Sequence, residues 1–246
     1  MLVVYHEDND FLKEVLTFLK AQDILYNVVF REDLAGKHYL GQDAVLVVGG
    51  DGTFLRASHL NKDLPILGIN PDPKRKEGFF MQMTRSDYQK KLPSMLKTGK
   101  TILLSRLKVT INGTVLPEMV LNEAYVGSNN PYAVFNYDVI VGRKKEFQRS
   151  SGILIGTPAG SNGWLKSAGG AVMDLESEKF QYLVREPYEG RLTGAFQLKQ
   201  GILSDKMTII PKSRGIVVID SISRQYEIEI DDQIEVTKTV HLRYLQ

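Results

Sequence analysis

The first hundred residues alternate between short apolar runs and segments whose apolar positions recur at helical spacing. Ala44 to Val48 is almost wholly apolar, which is typical of a strand covered on both faces of a parallel sheet. Proline inside a helix is unfavourable, so Pro93 weakens the helical pattern of Ser86 to Leu96 without removing it. The predicted strands are Leu2 to Tyr5, Leu25 to Phe30, Ala44 to Val48 and Pro65 to Asn70. A first helix is predicted after the capping residues Asp8-Asn9-Asp10, with Phe11, Val15, Phe18 and Leu19 on one face. A second helix is predicted over Ser86 to Leu96. We therefore expect an α/β, Rossmann-like lobe over residues 1–100.

After about Lys100 strand patterns dominate. Asn112-Gly113 is a strong hairpin signal between two extended segments. The predicted extended segments are Leu103 to Ile111, Val115 to Val126, Phe135 to Val141, Gly152 to Ile155, Met207 to Ile210, Gly215 to Ile219 and Tyr226 to Ile230. We expect a β-rich second lobe over residues 101–246, whose final stretch, Val236 to Leu245, could return to either lobe.

Composition excludes several classes of function. The 246 residues carry 31 basic and 29 acidic side chains, and a net charge of +2 lacks the basic excess typical of sequence-independent nucleic-acid binding. Cysteine is absent, which excludes disulfides and thiol chemistry. No apolar run approaches the ~20 residues needed to cross a bilayer, and the first residues do not have the pattern of a signal or transit peptide. We expect a cytoplasmic enzyme with no membrane or nucleic-acid partner.

The sharpest chemical signal is Gly49-Gly50-Asp51-Gly52-Thr53, which follows an apolar strand and precedes a helical pattern. At the carboxyl end of a parallel strand, glycines let the backbone approach a phosphate, and the helix N-terminus favours negative charge. A carboxylate repels phosphate, so Asp51 should either accept a proton from a hydroxyl nucleophile or hold a cation. The alternative is a tight turn in which Asp51 caps the helix.

This pentapeptide resembles the signature of the superfamily that contains NAD kinases, 6-phosphofructokinases and diacylglycerol-type lipid kinases, in which the acid acts on the acceptor hydroxyl. Further segments are similar to NAD kinases. Leu121-Asn122-Glu123-Ala124 resembles their NE motif, and Gly156 to Trp164, followed by Ser167-Ala168-Gly169-Gly170, resembles their TPTGSTAY segment with its trailing SAGG. The resemblance implies that Asn122 and Glu123 engage the dinucleotide, and it extends this expectation to Thr157, Gly160, Ser161, Asn162, Trp164 and Ser167.

Other segments resemble the mitochondrial-type branch of the family, and the likeness spans roughly residues 44 to 235. The matching stretches are Gly68 to Gly78, Ser150-Ser151-Gly152, Arg185-Glu186-Pro187 and Val217 to Asp220. Ser151 replaces an acid of the main branch, so we assign it no catalytic role. Trp164 replaces a tyrosine and could stack on a heterocycle or fill the core.

The clusters of charged residues indicate the function less clearly than the motifs above. Lys74-Arg75-Lys76 could bring its charges to a polyphosphate, and Arg75 matches the family's position, although a solvated loop explains the cluster equally well. Arg143-Lys144-Lys145 is predicted to be an exposed hairpin tip and Glu229 to Gln233 an acidic hairpin turn. The four histidines show no ligand spacing, so we expect no protein-bound zinc.

The hypothesis is therefore an NAD kinase that phosphorylates the 2′-hydroxyl of the adenosine ribose of NAD to give NADP. Asp51 would be the base, ATP the donor, and Mg²⁺ would arrive with the nucleotide. The resemblance implies a homodimer. Two rival interpretations are a lipid or sugar kinase of the same superfamily and a non-catalytic sensor of NAD or NADP. The sequence leaves the donor open between ATP, another triphosphate and polyphosphate, and the acceptor open between NAD and NADH.

Overall fold

A computed structural model describes residues 1–7, 9–191, 193–222 and 224–246 of the chain. Its helices are α1 (Asp10–Ala21), α2 (Asp51–His59), α3 (Tyr88–Thr98) and α4 (Trp164–Ser167). Its strands are β1 (Leu2–Tyr5), β2 (Asn27–Phe30), β3 (Val45–Val48), β4 (Ile66–Asn70), β5 (Met83–Thr84), β6 (Thr101–Leu104), β7 (Leu107–Ile111), β8 (Thr114–Val115), β9 (Glu123–Gly127), β10 (Phe135–Val141), β11 (Lys144–Ser150), β12 (Gly152–Gly156), β13 (Phe180–Arg185), β14 (Gln200–Leu203), β15 (Lys206–Pro211), β16 (Gly215–Ile219), β17 (Gln225–Ile228), β18 (Ile234–Lys238) and β19 (Leu242–Leu245). None of the described helices has the length and apolar composition needed to span a bilayer.

The chain divides into two compact units. The first comprises Met1–Leu103 and His241–Gln246, and the second comprises Leu104–Val240. The sequence places the boundary near residue 100, and the final strand belongs to the first unit. This α/β plus β-rich organisation is the predicted fold class.

The first unit is built on a sheet ordered β2-β1-β3-β4-β19-β6, with β5 on β4, in which β1 to β5 and β19 pair in parallel. Tyr5 pairs with Val48, and Val48 with Ile69, so β1, β3 and β4 end at the same edge of the sheet. The strand β3 is buried along its whole length, as its apolar run predicts. The segments that follow these three strands therefore lie side by side.

The helices of the first unit follow the predicted pattern with small shifts. The side chain of Asn9 caps α1 by accepting a hydrogen bond from the amide of Leu12, while Asp8 lies outside the described residues. The helix α3 passes through Pro93 and ends at Thr98. The predicted strand at Leu25 is wrong at its start, because β2 begins at Asn27 and Leu25 is 88% exposed.

The second unit contains two antiparallel sheets, ordered β11-β10-β15-β18-β7-β8 and β14-β13-β12-β9-β16-β17. Their apolar faces share one core, which includes Val109, Val126, Phe135, Ile155 and Val236. Asn112 and Gly113 both have positive φ, as the predicted hairpin turn between β7 and β8 requires. The cluster Arg143-Lys144-Lys145 follows Gly142 at the start of β11, in the predicted hairpin with β10.

Three predicted segments are wrong because the chain changes sheet within them. Leu103 to Ile111 is divided between β6 and β7, and Val115 to Val126 keeps only β8 and β9, joined by residues 116–122, which are not a strand. Glu229 to Gln233 is not a hairpin turn, because β17 and β18 belong to different sheets. Asp231 has a positive φ, and the carboxylate of Asp232 accepts a hydrogen bond from the amide of Glu229. The predicted strand Tyr226 to Ile230 accordingly ends at Ile228.

Candidate active site

The glycine turn follows β3 and leads directly into α2. Gly50 is the N-cap, and its carbonyl accepts hydrogen bonds from the amides of Thr53 (2.9 Å) and Phe54 (3.2 Å). The first amides of a helix have no carbonyl acceptor within the helix, and the helix dipole adds partial positive charge there. The start of α2 therefore has the properties of an anion site.

Asp51 is the first residue of α2, and its carboxylate does not cap the helix. Its Oδ1 accepts a hydrogen bond from the amide of Phe80 at 2.9 Å, and its Oδ2 accepts one from the amide of Phe79 at 3.1 Å. Burial and the negative charge of Asp51 together raise the pKa of Tyr244 to about 12. The helix-cap alternative is wrong, and two amides from a separate loop orient the half-buried carboxylate.

The residues around Asp51 are packed to different degrees. A side-chain carbon on Gly49 would lie 2.7 Å from Oγ1 of Thr53, so the fold requires glycine there. A side-chain carbon on Gly52 would meet open space. Thr53 is 1% exposed, and its hydroxyl has no hydrogen-bond partner in the described part of the chain. A buried, unpaired hydroxyl beside the turn is a polar group still in need of a partner.

Arg75, the cation predicted to bind phosphate, extends into solvent. Its side chain is 87% exposed, and its Nε lies 3.8 Å from a carboxylate oxygen of Asp72. The recorded ion pair of Arg75 is thus with Asp72 and not with a group of the glycine turn. Its predicted role stays a prediction.

In the second unit, Asn122 and Glu123 lie at the start of β9. Asp220 fixes their backbone, because its carboxylate accepts hydrogen bonds from the amides of Leu121, Asn122 and Glu123 at 2.7 to 3.2 Å. Ser221 donates a hydrogen bond to Oε1 of Glu123 at 3.1 Å. Sequence reasoning gave neither Asp220 nor Ser221 this role, although the family-like stretch that ends at Asp220 was a signal.

Two oxygens at this strand end lack partners. Oδ1 of Asn122 and Oε2 of Glu123 are buried, and neither has a hydrogen-bond donor among the described residues. Burial and the nearby negative charge of Asp220 raise the pKa of Glu123 to about 8. Oδ1 of Asn122 can accept a hydrogen bond from a ligand hydroxyl, and the Glu123 carboxyl, which is protonated below about pH 8, can donate one.

The turn after β12 is attached to the same strand end. The amide of Thr157 donates to the carbonyl of Asn122 at 2.9 Å, and the Thr157 hydroxyl donates to the carbonyl of Leu121. Gly160 is required there, because a side-chain carbon would lie 2.0 Å from the carbonyl oxygen of Asn122. Ser161 donates to the carbonyl of Pro158 and accepts from the amide of Met173. The side chains of Thr157 and Ser161 therefore hold the turn in place.

The remaining predicted residues are more accessible. Asn162 is half-buried, and Ser167 is exposed. The indole of Trp164 is half-buried, with the Tyr125 ring 5.6 Å away and the Arg185 guanidinium 5.0 Å from its centroid. Arg185 already makes a cation–π contact with this ring. Trp164 is thus neither fully buried filler nor a bare stacking surface.

Comparison with known proteins identifies the relationship. Residues 5–100 match the ATP-NAD kinase N-terminal domain. The chain is similar to the crystal structure of an NAD kinase from Archaeoglobus fulgidus in complex with ATP, with a TM-score of 0.82 over 100% of this chain and 93% of the other at 22% identity, and this likeness shows the shared fold.

Curated relatives extend the match to most of the chain. An NAD kinase of Methanosarcina barkeri is 30% identical over 81% of this chain and 71% of its own. A protein described as a probable NADH kinase of Oryza sativa subsp. japonica is 31% identical over 95% of this chain and 78% of its own. The names of these relatives differ in the dinucleotide, but they agree on the family. The glycine turn, the fold and these relatives together show that the chain belongs to the NAD kinase family.

Proposed function

We propose that this chain transfers the terminal phosphoryl group of a nucleoside triphosphate to the 2′-hydroxyl of the adenosine ribose of NAD, giving NADP. The observation that carries the proposal is the position of Asp51, a carboxylate at the start of α2 oriented by the amides of Phe79 and Phe80. Family membership supports the class of reaction.

The chemistry needs few groups. The ribose oxygen attacks the terminal phosphorus, the bond from that phosphorus to the bridging oxygen breaks, and the hydroxyl proton passes to the carboxylate of Asp51. Each oxygen of Asp51 accepts one backbone amide and retains a lone pair for this proton. The first amides of α2 would donate to phosphate oxygens, and the unpaired hydroxyl of Thr53 is a further donor beside them.

A metal would accompany the donor. Among the described residues, no group of three or more His, Asp or Glu side chains lies close enough together to hold an ion. The proposal assigns Mg²⁺ to the triphosphate, whose oxygens are the ligands that the ion prefers.

The second unit would bind the dinucleotide. Asn122 offers a buried acceptor oxygen and the protonated carboxyl of Glu123 a buried donor to ribose hydroxyls, and the backbone of both residues is fixed by Asp220. Trp164 and Asn162 would add contacts from the partly exposed turn. A homodimer, which the family resemblance implies, completes the proposal and predicts a molar mass near twice that of the chain by sedimentation.

Replacing Asp51 with Asn tests the base directly. We expect NADP formation from ATP and NAD to fall by roughly 10²- to 10⁴-fold, because an amide cannot accept the proton. An Asn side chain also loses one of the two amide contacts, so thermal unfolding and calorimetric binding of ATP should be measured alongside turnover. The exposed Asp33→Asn is the matched control for charge loss.

Two outcomes would contradict the proposal. Turnover of Asp51→Asn within about tenfold of wild type would remove Asp51 as the base. A wild-type chain that binds NAD or NADP but forms no phosphorylated product from NAD or NADH, with ATP or polyphosphate, would be a sensor.

A further inference from the structure

Lys76 lies across the glycine turn. Its Cδ is 3.4 Å from the point where a side-chain carbon on Gly50 would be, and its side chain is 29% exposed. Its backbone is fixed, because its amide donates to the carbonyl of Asp72 at 2.9 Å and its carbonyl accepts from the side chain of Asn70 at 2.8 Å. Asn70 ends β4 and is 3% exposed. Lys76 is thus anchored to the same sheet edge as the turn.

The ammonium group of Lys76 is paired with a carboxylate. Its Nζ lies 3.3 Å from Oε1 of Glu7, whose side chain is 54% exposed. Lys76 lowers the pKa of the Glu7 carboxyl through its charge and this hydrogen bond. Glu7 follows β1, which pairs with β3, so the acid and the glycine turn are neighbours at the sheet edge.

This arrangement places the ammonium group of Lys76 near the start of α2, where we expect an anionic ligand to bind. The start of α2 supplies amides and dipole for an anion, and the buried hydroxyl of Thr53 has no partner in the described part of the chain. A half-exposed ion pair is weakly held and is readily exchanged for a stronger partner. A triphosphate carries several charges and would compete with one carboxylate for the ammonium group.

We propose that Lys76 binds the phosphates of the donor, and that Glu7 is its counter-ion until the triphosphate displaces it. This inference rests on the proposed function, which requires a triphosphate at the glycine turn. It assigns the phosphate contact to Lys76 rather than to Arg75, whose side chain is 87% exposed. The shared chemistry is a chain of three phosphates, so ATP and inorganic tripolyphosphate should both depend on Lys76.

Calorimetric titration of the full chain with ATP, and separately with tripolyphosphate, both with Mg²⁺, tests the inference. We expect Lys76→Gln to raise the Kd for both about tenfold or more, since a hydrogen bond to a charged group is lost. Lys76→Arg should stay within about threefold because the charge remains. Glu7→Gln should lower the Kd roughly two- to fivefold, because the competing carboxylate is gone.

Controls separate charge from position. Lys90→Gln removes one positive charge from the exposed surface of α3 and should leave the Kd unchanged. The Kd for NAD should be the same in every variant, and thermal unfolding should show that each is folded. A wild-type Kd in Lys76→Gln would overturn the role of Lys76, and a Kd in Glu7→Gln equal to or above wild type would overturn the counter-ion role. Failure of wild type to bind either triphosphate would instead overturn the proposed function.

Discussion

The residue Glu123 is 3% exposed, and its carboxyl group lies near that of Asp220. Burial and the charge of Asp220 raise its pKa from 4.5 to about 8. Between about pH 5 and pH 8 the folded chain therefore holds a proton that the unfolded chain has released. The free energy of unfolding should fall as pH rises through this window, by up to about 1.4 kcal/mol per pH unit.

Replacing Glu123 with Gln should remove this dependence, because the amide stays neutral at every pH. We expect the variant and wild type to have similar urea midpoints at pH 5.5, and the variant to have the higher midpoint at pH 8.5. The exposed Glu227→Gln serves as control and should follow wild type at both pH values. A difference in midpoint between wild type and Glu123→Gln that is the same at pH 5.5 and pH 8.5 would show that Glu123 does not change its protonation between these pH values.

At the scale of the element, two glycines at the start of α2 differ in the space around them: Gly49 is tightly packed, whereas Gly52 is open. Gly49→Ala should lower the free energy of unfolding by about 1–3 kcal/mol, because the new methyl group would lie 2.7 Å from Oγ1 of Thr53. Gly52→Ala should raise it by up to about 1 kcal/mol, because the site is open and alanine favours the helix.

Gly52→Ala should weaken ATP binding, although it should stabilise the fold. Its methyl group would stand at the helix start, where a phosphate must approach the backbone, so the Kd for ATP should rise although the chain is more stable. Thermal unfolding and ATP titration of Gly49→Ala and Gly52→Ala measure the two effects separately. If Gly52→Ala kept the wild-type Kd, the triphosphate would lie elsewhere.

Local patterns predicted the elements that carry the glycine turn. The apolar strand β3, the glycines and the following helix α2 are all visible in neighbouring residues. The strand β11 was not predicted, because it reads Lys-Lys-Glu-Phe-Gln-Arg-Ser and is recognisable chiefly through its pairing with β10. The strands β5, β13, β14, β18 and β19 are likewise absent from the predicted set.

Long-range contacts at the site could not be predicted in the same way. The amides of Phe79 and Phe80 reach Asp51 across 28 and 29 residues, and Asp220 reaches Leu121 across 99. These contacts depend on strand order and register, which hydrophobic periodicity does not specify. The predicted roles of Thr157 and Ser161 rest on the family motif, whereas in the structure both hydroxyls bond to the protein itself.

At the scale of the whole molecule, the chain leaves the first unit after Leu103 and returns to it at His241. The returning strand β19 lies between β4 and β6, and the amide of Gln246 donates to the carbonyl of Lys100 at 2.7 Å. Leu242 is fully buried, whereas its neighbour Arg243 is exposed. The four residues of β19 are therefore an internal strand of the first sheet.

Substitutions in β19 should affect the first unit in proportion to burial. Leu242→Ala should cost about 2–5 kcal/mol of unfolding free energy, and Arg243→Ala less than about 1 kcal/mol. The loss of ATP binding with increasing urea reports on the first unit and should shift to lower urea in Leu242→Ala. Equal midpoints for the two variants would mean that β19 contributes little to the sheet.

The position of β19 also has a consequence for synthesis. Translation runs from the N-terminus, so β19, which lies between β4 and β6, is synthesised only after the whole second unit. The first hundred residues are therefore synthesised before the whole second unit, and the strand that pairs with β4 follows only after it. A chain that ended within the second unit would contain Asp51 but lack an internal strand of the sheet that bears it, so we expect its first unit to be less stable than that of the intact chain.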